Sequence, residues 1–279
     1  MFEQPLLQVK NVTKKYGAGC QKCAALHSEV MIKNYCPVCR TVYACRDVSF
    51  DLYSGEILGI VGESGSGKST LMQCLYFDLE TSSGEVYMES SEWQGENLFY
   101  LSAKQKRSIR NSKFGMVYQN PIHGLKMEYS AISNIGEKLI AAGNRNVKEM
   151  ESIGNTLFRE VEIPLFRSKE KPLHFSGGMQ QRVQIAKALS NNPPILFLDE
   201  ITTGLDLSVQ ANVLDVIKNI QVEYGVSMIV VSHDLAVIRM LADRTLVMLD
   251  GQVIEKGLTD QILEDPQHHF TQQLVYSLI

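Results

Sequence analysis

The run ILGIV at 57–61, followed without a break by GESGSGKST, constrains this chain more than any other stretch. A short series of branched apolar residues ending in a turn suits a strand buried on both faces of a parallel sheet. The glycines that follow let the backbone turn until its amides converge. A helix beginning there adds its positive end, and together they form a cradle for phosphate. Gly62 to Ser69 fits Gly-x-x-x-x-Gly-Lys-Ser, which assigns Lys68 to the β- and γ-phosphates and Ser69 to magnesium. Glu63, Ser64, Gly65, Ser66, Gly67 and Thr70 complete the expected nucleotide-binding stretch. The plain alternative is a glycine-rich turn with a surface lysine. A buried strand before the loop and a helix after it favour the nucleotide.

Two further apolar runs behave alike. ILFL (195–198) leads into Asp199 and Glu200, and MIVV (228–231) into Ser232, His233 and Asp234. In parallel sheets ligands sit beyond the carboxyl ends of the strands, where these polar residues fall. Asp199 is then suited to the magnesium shell and Glu200 to orienting or deprotonating water. Two solvated acids at a strand end are the alternative, as are a structural histidine at His233 and an ordinary amide at Gln119. The fold expected is α/β. LLQVKNV, ACRDVSFDL and GEVYME alternate and end in turns, which predicts a small antiparallel sheet beside the core. From about Tyr129 to Leu189 the sequence is helix-forming, broken by Gly143, Pro164 and Pro172, and predicts an inserted helical lobe. Val209, Val213, Val216, Ile217 and Ile220 recur at helical spacing.

A net charge of −4 argues against a general nucleic-acid coat, and no nucleic-acid partner is expected. No apolar run approaches the ~18 residues needed to span a bilayer, and MFEQPLLQVK lacks the pattern of a signal peptide. The expectation is a soluble, cytoplasmic protein.

FSGGMQQR (175–182) places Ser176, Gly177 and Gly178 just before the long helical stretch MQQRVQIAKALS. Exposed amides and a hydroxyl at a helix start form a second place suited to phosphate, although Ser176 serves equally as a simple N-cap. Two phosphate-type sites on different lobes are reconciled if two chains complete each other.

Gly62–Ser69, Gln119, FSGGM, ILFLDE, Gly204–Asp206 and His233 together resemble an ATP-binding-cassette (ABC) ATPase over essentially the whole chain apart from a cysteine segment. The resemblance implies one ABC-type P-loop NTPase domain over 1–279. It would comprise a RecA-like core, an antiparallel β subdomain and a helical subdomain at about 120–190. The active unit would be a head-to-tail homodimer sandwiching two ATP–magnesium molecules. It gives phosphate to Lys68 and the amides of Gly65 and Gly67, and magnesium to Ser69, Gln119 and Asp199. Glu200 becomes the catalytic base and His233 the switch histidine. Ser176 and Gly178 would hold the γ-phosphate of the partner's ATP, Asp206 would link the two sites, and Tyr16 would stack on adenine. Phe175, Met179 and Ile201 depart from the usual leucine, glutamine and proline, without removing a catalytic group.

Within the family the chain is similar to oligopeptide- and nickel-type importer ATPases. It is more similar to the ATPase subunit of the carbon–phosphorus lyase system, through NPIHGL, NIGEKLIAAG, VEIP and GLDLSVQANVLD. The implied partners are lyase core subunits or, alternatively, a membrane permease, which would make the chain peripheral to the inner membrane. A non-catalytic clamp is the rival from another class; intact Lys68, Asp199, Glu200 and His233 argue against it.

Cys20, Cys23, Cys36 and Cys39 form two Cys-x-x-Cys pairs within an insertion at 17–45. In a reducing cytosol such pairs more often bind metal than form disulfides, and four thiolates suit a closed, structural zinc-knuckle site. A redox role and an iron–sulfur cluster remain alternatives. His27 is a weaker rival ligand, and Cys45 and Cys74 are expected as packed thiols. Leu26, Val30, Met31, Ile32 and Val38 exceed the apolar content of a simple loop, which points to a second duty in contacting a partner or the bound base.

Overall fold

The computed structural model describes residues 4–24, 30–89 and 92–276. The chain divides into two compact units: Met1–Tyr53, Leu58–Leu101 and Val231–Ile279 form the first, Ser54–Ile57 and Ser102–Val230 the second. Strand β1 (Leu7–Tyr16), the single turn α1 (Gln21–Ala24) and β2 (Val42–Leu52) open the first unit. Strand β3 (Ile57–Val61), helix α2 (Lys68–Leu75) and β4 (Ser83–Met88) follow. The second unit runs through α3 (Ala103–Ser112), β5 (Phe114–Val117), α4 (Pro121–Gly124), α5 (Ala131–Ala141) and α6 (Val147–Glu160). It continues with α7 (Gly177–Leu189), β6 (Ile195–Asp199), α8 (Leu207–Tyr224) and β7 (Ser227–Val231). The chain then returns to the first unit with α9 (Leu235–Leu241), β8 (Arg244–Leu249), β9 (Gln252–Leu258), α10 (Thr259–Glu264) and α11 (His269–Tyr276).

In the first unit β1 lies between β2 and β4, antiparallel to both. Alternation explains the pairing: Leu7 and Val9 are buried and face Leu52, Phe50, Met88 and Val86 across the sheet. Positive φ at Asn11 and Asp47 marks register shifts there, and the Asn11 amide bonds the Asp47 carboxylate. β3 is buried throughout and pairs in parallel with β8, which pairs antiparallel with β9. Asp250 and Gly251, at φ 48 and 82, make the tight hairpin between β8 and β9.

In the second unit β6 lies between β5 and β7, and β5–β6 is parallel. Phe114 and Phe197 meet edge to face, with centroids 5.2 Å apart. The stretch expected to be helical carries α5, α6 and α7 and is interrupted near the three expected residues. Gly143, at φ 100, follows α5, and Pro164 and Pro172 sit at single 3₁₀ turns. Val213, Val216, Ile217 and Ile220 form the buried stripe of α8. Among the described residues no helix is long and apolar enough to cross a membrane.

Candidate nucleotide-binding site and metal centre

The glycine loop is shaped by close approach in the first unit. A Cβ on Gly62 would lie 2.1 Å from the Met248 carbonyl, and one on Gly67 would lie 1.9 Å from the Ala44 carbonyl. Both have positive φ, at 152° and 100°, so only glycine satisfies backbone and space together. Helix α2 starts directly after Gly67 with no side chain capping its first amides, the arrangement in which a helix start receives an anion. Lys68, 4% exposed, donates from Nζ to the carbonyls of Gly62 (2.8 Å) and Glu63 (2.9 Å). The Ser66 hydroxyl is buried without a hydrogen-bond partner. A cradle that a Cβ would fill and an orphaned hydroxyl fit a nucleotide phosphate. Ser69 and Thr70 follow on the first turn of α2, both partly exposed.

Tyr16 ends β1 opposite Val42, 49% exposed, with the Lys14 ammonium 5.1 Å from its ring centroid. That leaves a ring face suited to stacking on a base. His233 is exposed in the turn before α9, and Asp234 caps that helix by accepting from the Ala236 amide at 2.8 Å.

The second unit gathers the remaining candidates. Asp199, buried, ends β6. Glu200 adopts φ 44, and its carboxylate accepts from Gln119 Nε2 and Thr203 Oγ1, each at 3.2 Å. Ile201 is buried. The turn is further held by the Thr203 amide donating to the Glu200 carbonyl at 3.1 Å. Gln119 is positioned from α7: Gln181 Nε2 donates to the Gln119 carbonyl at 3.0 Å, and Gln184 accepts from the Tyr118 amide at 3.1 Å. Both glutamines are buried, and sequence reasoning did not single them out. Their only signal is that these two amides, three apart, are buried among the apolar residues of α7.

Ser176 caps α7, accepting from the Met179 amide at 3.4 Å, while Ser176 and Gly177 stay exposed. Gly178 is buried, and a Cβ there would lie 2.2 Å from Val209 Cγ1 of α8. The two departures in this motif share one partner. The Arg167 guanidinium lies 4.6 Å from the Phe175 ring centroid, and its Nη1 lies 3.2 Å from Met179 Sδ. Asp206 caps α8 through the Val209 amide at 3.0 Å; that bond and the Ser208 hydroxyl hold its carboxyl below the usual range.

The cysteine segment is the other centre. The thiol sulfurs of Cys20, Cys23, Cys36 and Cys39 all lie within 4.8 Å of one another. Cys20–Cys23, Cys20–Cys36 and Cys23–Cys39 are separated by 3.7, 3.9 and 3.6 Å. A tetrahedral metal with bonds of about 2.3 Å sets sulfurs roughly 3.8 Å apart, so the donor set fits zinc. The Cys36 amide donates to the Thr41 carbonyl and the Arg40 amide to the Cys36 carbonyl, both at 2.8 Å, with Arg40 at φ 58. Tyr43 packs with buried Cys23 and Cys36, its hydroxyl 3.5 Å from Cys23 Sγ. Burial alone would raise the Cys23 thiol; the bond to Tyr43 and neighbouring donors outweigh it and hold it at about 6. Val30 and Met31 are absorbed by this cluster, while Ile32 and Val38 remain 63% and 56% exposed. His27 and Leu26 lie outside the described residues. Cys45 and Cys74 are the expected packed thiols: burial drives both up, Cys74 to about 11.

The ABC transporter family profile matches residues 45–203. The chain belongs to the ABC transporter family. Its ATP-binding domain makes it an ATPase. A relative in Escherichia coli (strain K12) that carries the name phosphonates utilization ATP-binding protein PhnK is 43% identical over 278 residues, 100% of this chain and 99% of that protein. The oligopeptide transport ATP-binding protein OppD of Bacillus subtilis (strain 168) is 38% identical over 245 residues, 85% of this chain and 67% of that one. Among solved structures, the MJ0796 ATP-binding cassette, a dimer in a post-hydrolysis state bound to ADP and Pi, superposes at a TM-score of 0.75. It shares 29% identity and covers 91% of this chain and 98% of its own. The cbiO1 cassette of Clostridium perfringens matches in fold, at a TM-score of 0.74 and 24% identity over 94% of this chain and 92% of that one. The ABC profile starts at Cys45, so the cysteine cluster precedes the matched stretch.

Proposed function

We propose that this chain is the ATP-binding and ATP-hydrolysing subunit of a cytoplasmic carbon–phosphorus lyase system for phosphonate breakdown. The observation that carries the reading is the end-to-end similarity to the phosphonates utilization protein of Escherichia coli (strain K12). Residues 1–279 act as one ABC ATPase domain, with a metal-binding insertion at 17–45 and a helical subdomain at about 120–190. Two copies associate head to tail; the dimeric MJ0796 cassette supports the pairing of two copies.

In each site Tyr16 stacks on adenine, the amides of 62–70 and Lys68 hold phosphate, and Ser69, Gln119 and Asp199 hold magnesium. Magnesium offsets the charge of the phosphates. Glu200 takes the proton from water, assisted by His233, while Ser176, Gly177 and Gly178 of the other copy close over the γ-phosphate and Asp206 links the sites. Binding closes the dimer and hydrolysis opens it, which transmits work to lyase core subunits. Cys20, Cys23, Cys36 and Cys39 hold a structural zinc that folds the insertion.

The similarity to an oligopeptide transport protein supports a second reading, the energy subunit of an importer coupled to a membrane permease. Affinity purification of the tagged chain from cells grown on a phosphonate tests the choice. Soluble lyase subunits are expected; a membrane permease in their place refutes the first reading.

A further inference from the structure

One short stretch of β2, Tyr43 to Arg46, touches both the cysteine knuckle and the phosphate loop. Toward the knuckle, Tyr43 shares a buried cluster with Cys23 and Cys36, and its amide donates to the Asn34 carbonyl at 2.8 Å. Arg46 Nη2 donates to the Cys23 carbonyl at 3.3 Å, with its guanidinium 5.0 Å from the Tyr43 ring centroid. Toward the loop, the Ala44 carbonyl occupies the place where a Gly67 side chain would begin, and the Cys45 thiol donates to the Gly67 carbonyl at 3.4 Å. A second route passes through the hairpin turn: the Arg46 amide donates to the Gly251 carbonyl at 2.7 Å, and the Gly251 amide to the Ser66 carbonyl at 3.1 Å. One residue before Tyr43, Val42 pairs with Tyr16.

Backbone contacts of this kind are stiff, because a carbonyl seated against Gly67 cannot move without moving the loop. A phosphate loop binds tightly only when its amides are already aimed, and each ordering cost left for the moment of binding weakens it. The knuckle decides how firmly this part of β2 is held. With a metal, the four sulfurs share one centre and the connection between β1 and β2 is fixed; without it, that long connection regains its freedom.

We propose that metal loading of the cysteine knuckle and nucleotide binding at 62–69 are coupled through Tyr43–Arg46, with Tyr43 as the positioning residue. The coupling rests on the assignment of a structural zinc to the four cysteines. Two sites that share one stretch are linked reciprocally, so the factor by which zinc tightens nucleotide equals the factor by which nucleotide tightens zinc.

The test uses the full chain, a fluorescent ADP analogue and zinc, with bound metal measured by mass spectrometry. Stripping zinc is expected to weaken ADP about tenfold, and ADP to raise zinc affinity by the same factor in competition with a chromogenic chelator. Tyr43→Phe keeps all four thiols; it is expected to retain zinc while the coupling shrinks to less than about threefold. A chain that holds one zinc yet binds ADP equally with and without it overturns the coupling and leaves the metal assignment standing. A chain that never retains zinc overturns the assignment and the coupling with it. If the stripped chain unfolds, competition on the folded, zinc-loaded protein decides, and equal zinc affinity with and without ADP refutes the proposal. Unchanged coupling in Tyr43→Phe refutes the part given to Tyr43.

Discussion

Gln119 Nε2 donates to the Glu200 carboxylate at 3.2 Å. The Gln119 carbonyl is in turn held by Gln181 of α7, so the helix that starts at Ser176 reaches Glu200 through two amide side chains. The left-handed backbone at Glu200, φ 44, is strained for a residue with a side chain and persists because the surrounding turn over-determines it.

Glu200→Gln preserves size and the ability to accept from Thr203, but removes the carboxylate proposed as the base. ATP hydrolysis is expected to fall by about 10²- to 10⁴-fold with ATP affinity retained. Single-turnover phosphate release beside a nucleotide-binding titration checks both halves.

Gly67→Ala sets a methyl group where the Ala44 carbonyl lies, at a φ of 100°. Backbone strain of about 1–3 kcal/mol is the smaller part of its cost, since β2 or the loop must also move. ATP binding is expected to be lost at concentrations that saturate the native chain. Calorimetric titration reads this, and thermal unfolding shows whether the fold survives.

Arg167→Ala removes the contact with Phe175, the paired bonds to Glu170 and the contact with Met179. A lower urea midpoint than that of the native chain is expected. Because Arg167 braces the start of α7, hydrolysis should fall more than nucleotide affinity. Lysine lacks the planar fork and should rescue little.

Glu137 bonds Lys126 at 2.6 Å and Lys187 at 3.0 Å, with 38% of its side chain exposed. Burial alone would raise its carboxyl, but the two lysines more than offset that and hold it below the ordinary 4.5. With the native value lowered, the unfolded chain takes up the proton first as pH falls. The stabilisation is therefore present above about 4.5 and disappears as pH drops through the lower native value. Glu137→Gln should lower stability at pH 7 by less than about 1 kcal/mol, because exposed pairs are screened. It should also flatten the acid limb, as denaturant midpoints between pH 3 and 7 will report (roughly the carboxylate range).

Much of the fold was legible because its signals are local. Three apolar runs ending in glycine, acid or histidine announced β3, β6 and β7, and cysteine spacing announced the knuckle. β5 went unread because Phe114–Val117 is too short to show a period between helical neighbours. The Asp250–Gly251 hairpin carries a recognisable turn signal, but its role against Ser66 depends on contacts nearly two hundred residues apart. Gln181, Gln184 and Arg167 were invisible for the same reason. A buried amide serving a distant loop, or a guanidinium shared by Phe175 and Met179, leaves no pattern along the chain.

The most direct test of shared sites is the rate of ATP hydrolysis per chain measured against protein concentration. If each copy completes the other's site, the rate per chain should rise with concentration and level off as dimers saturate. A rate per chain that stays constant down to high dilution, where only monomers persist, would contradict it.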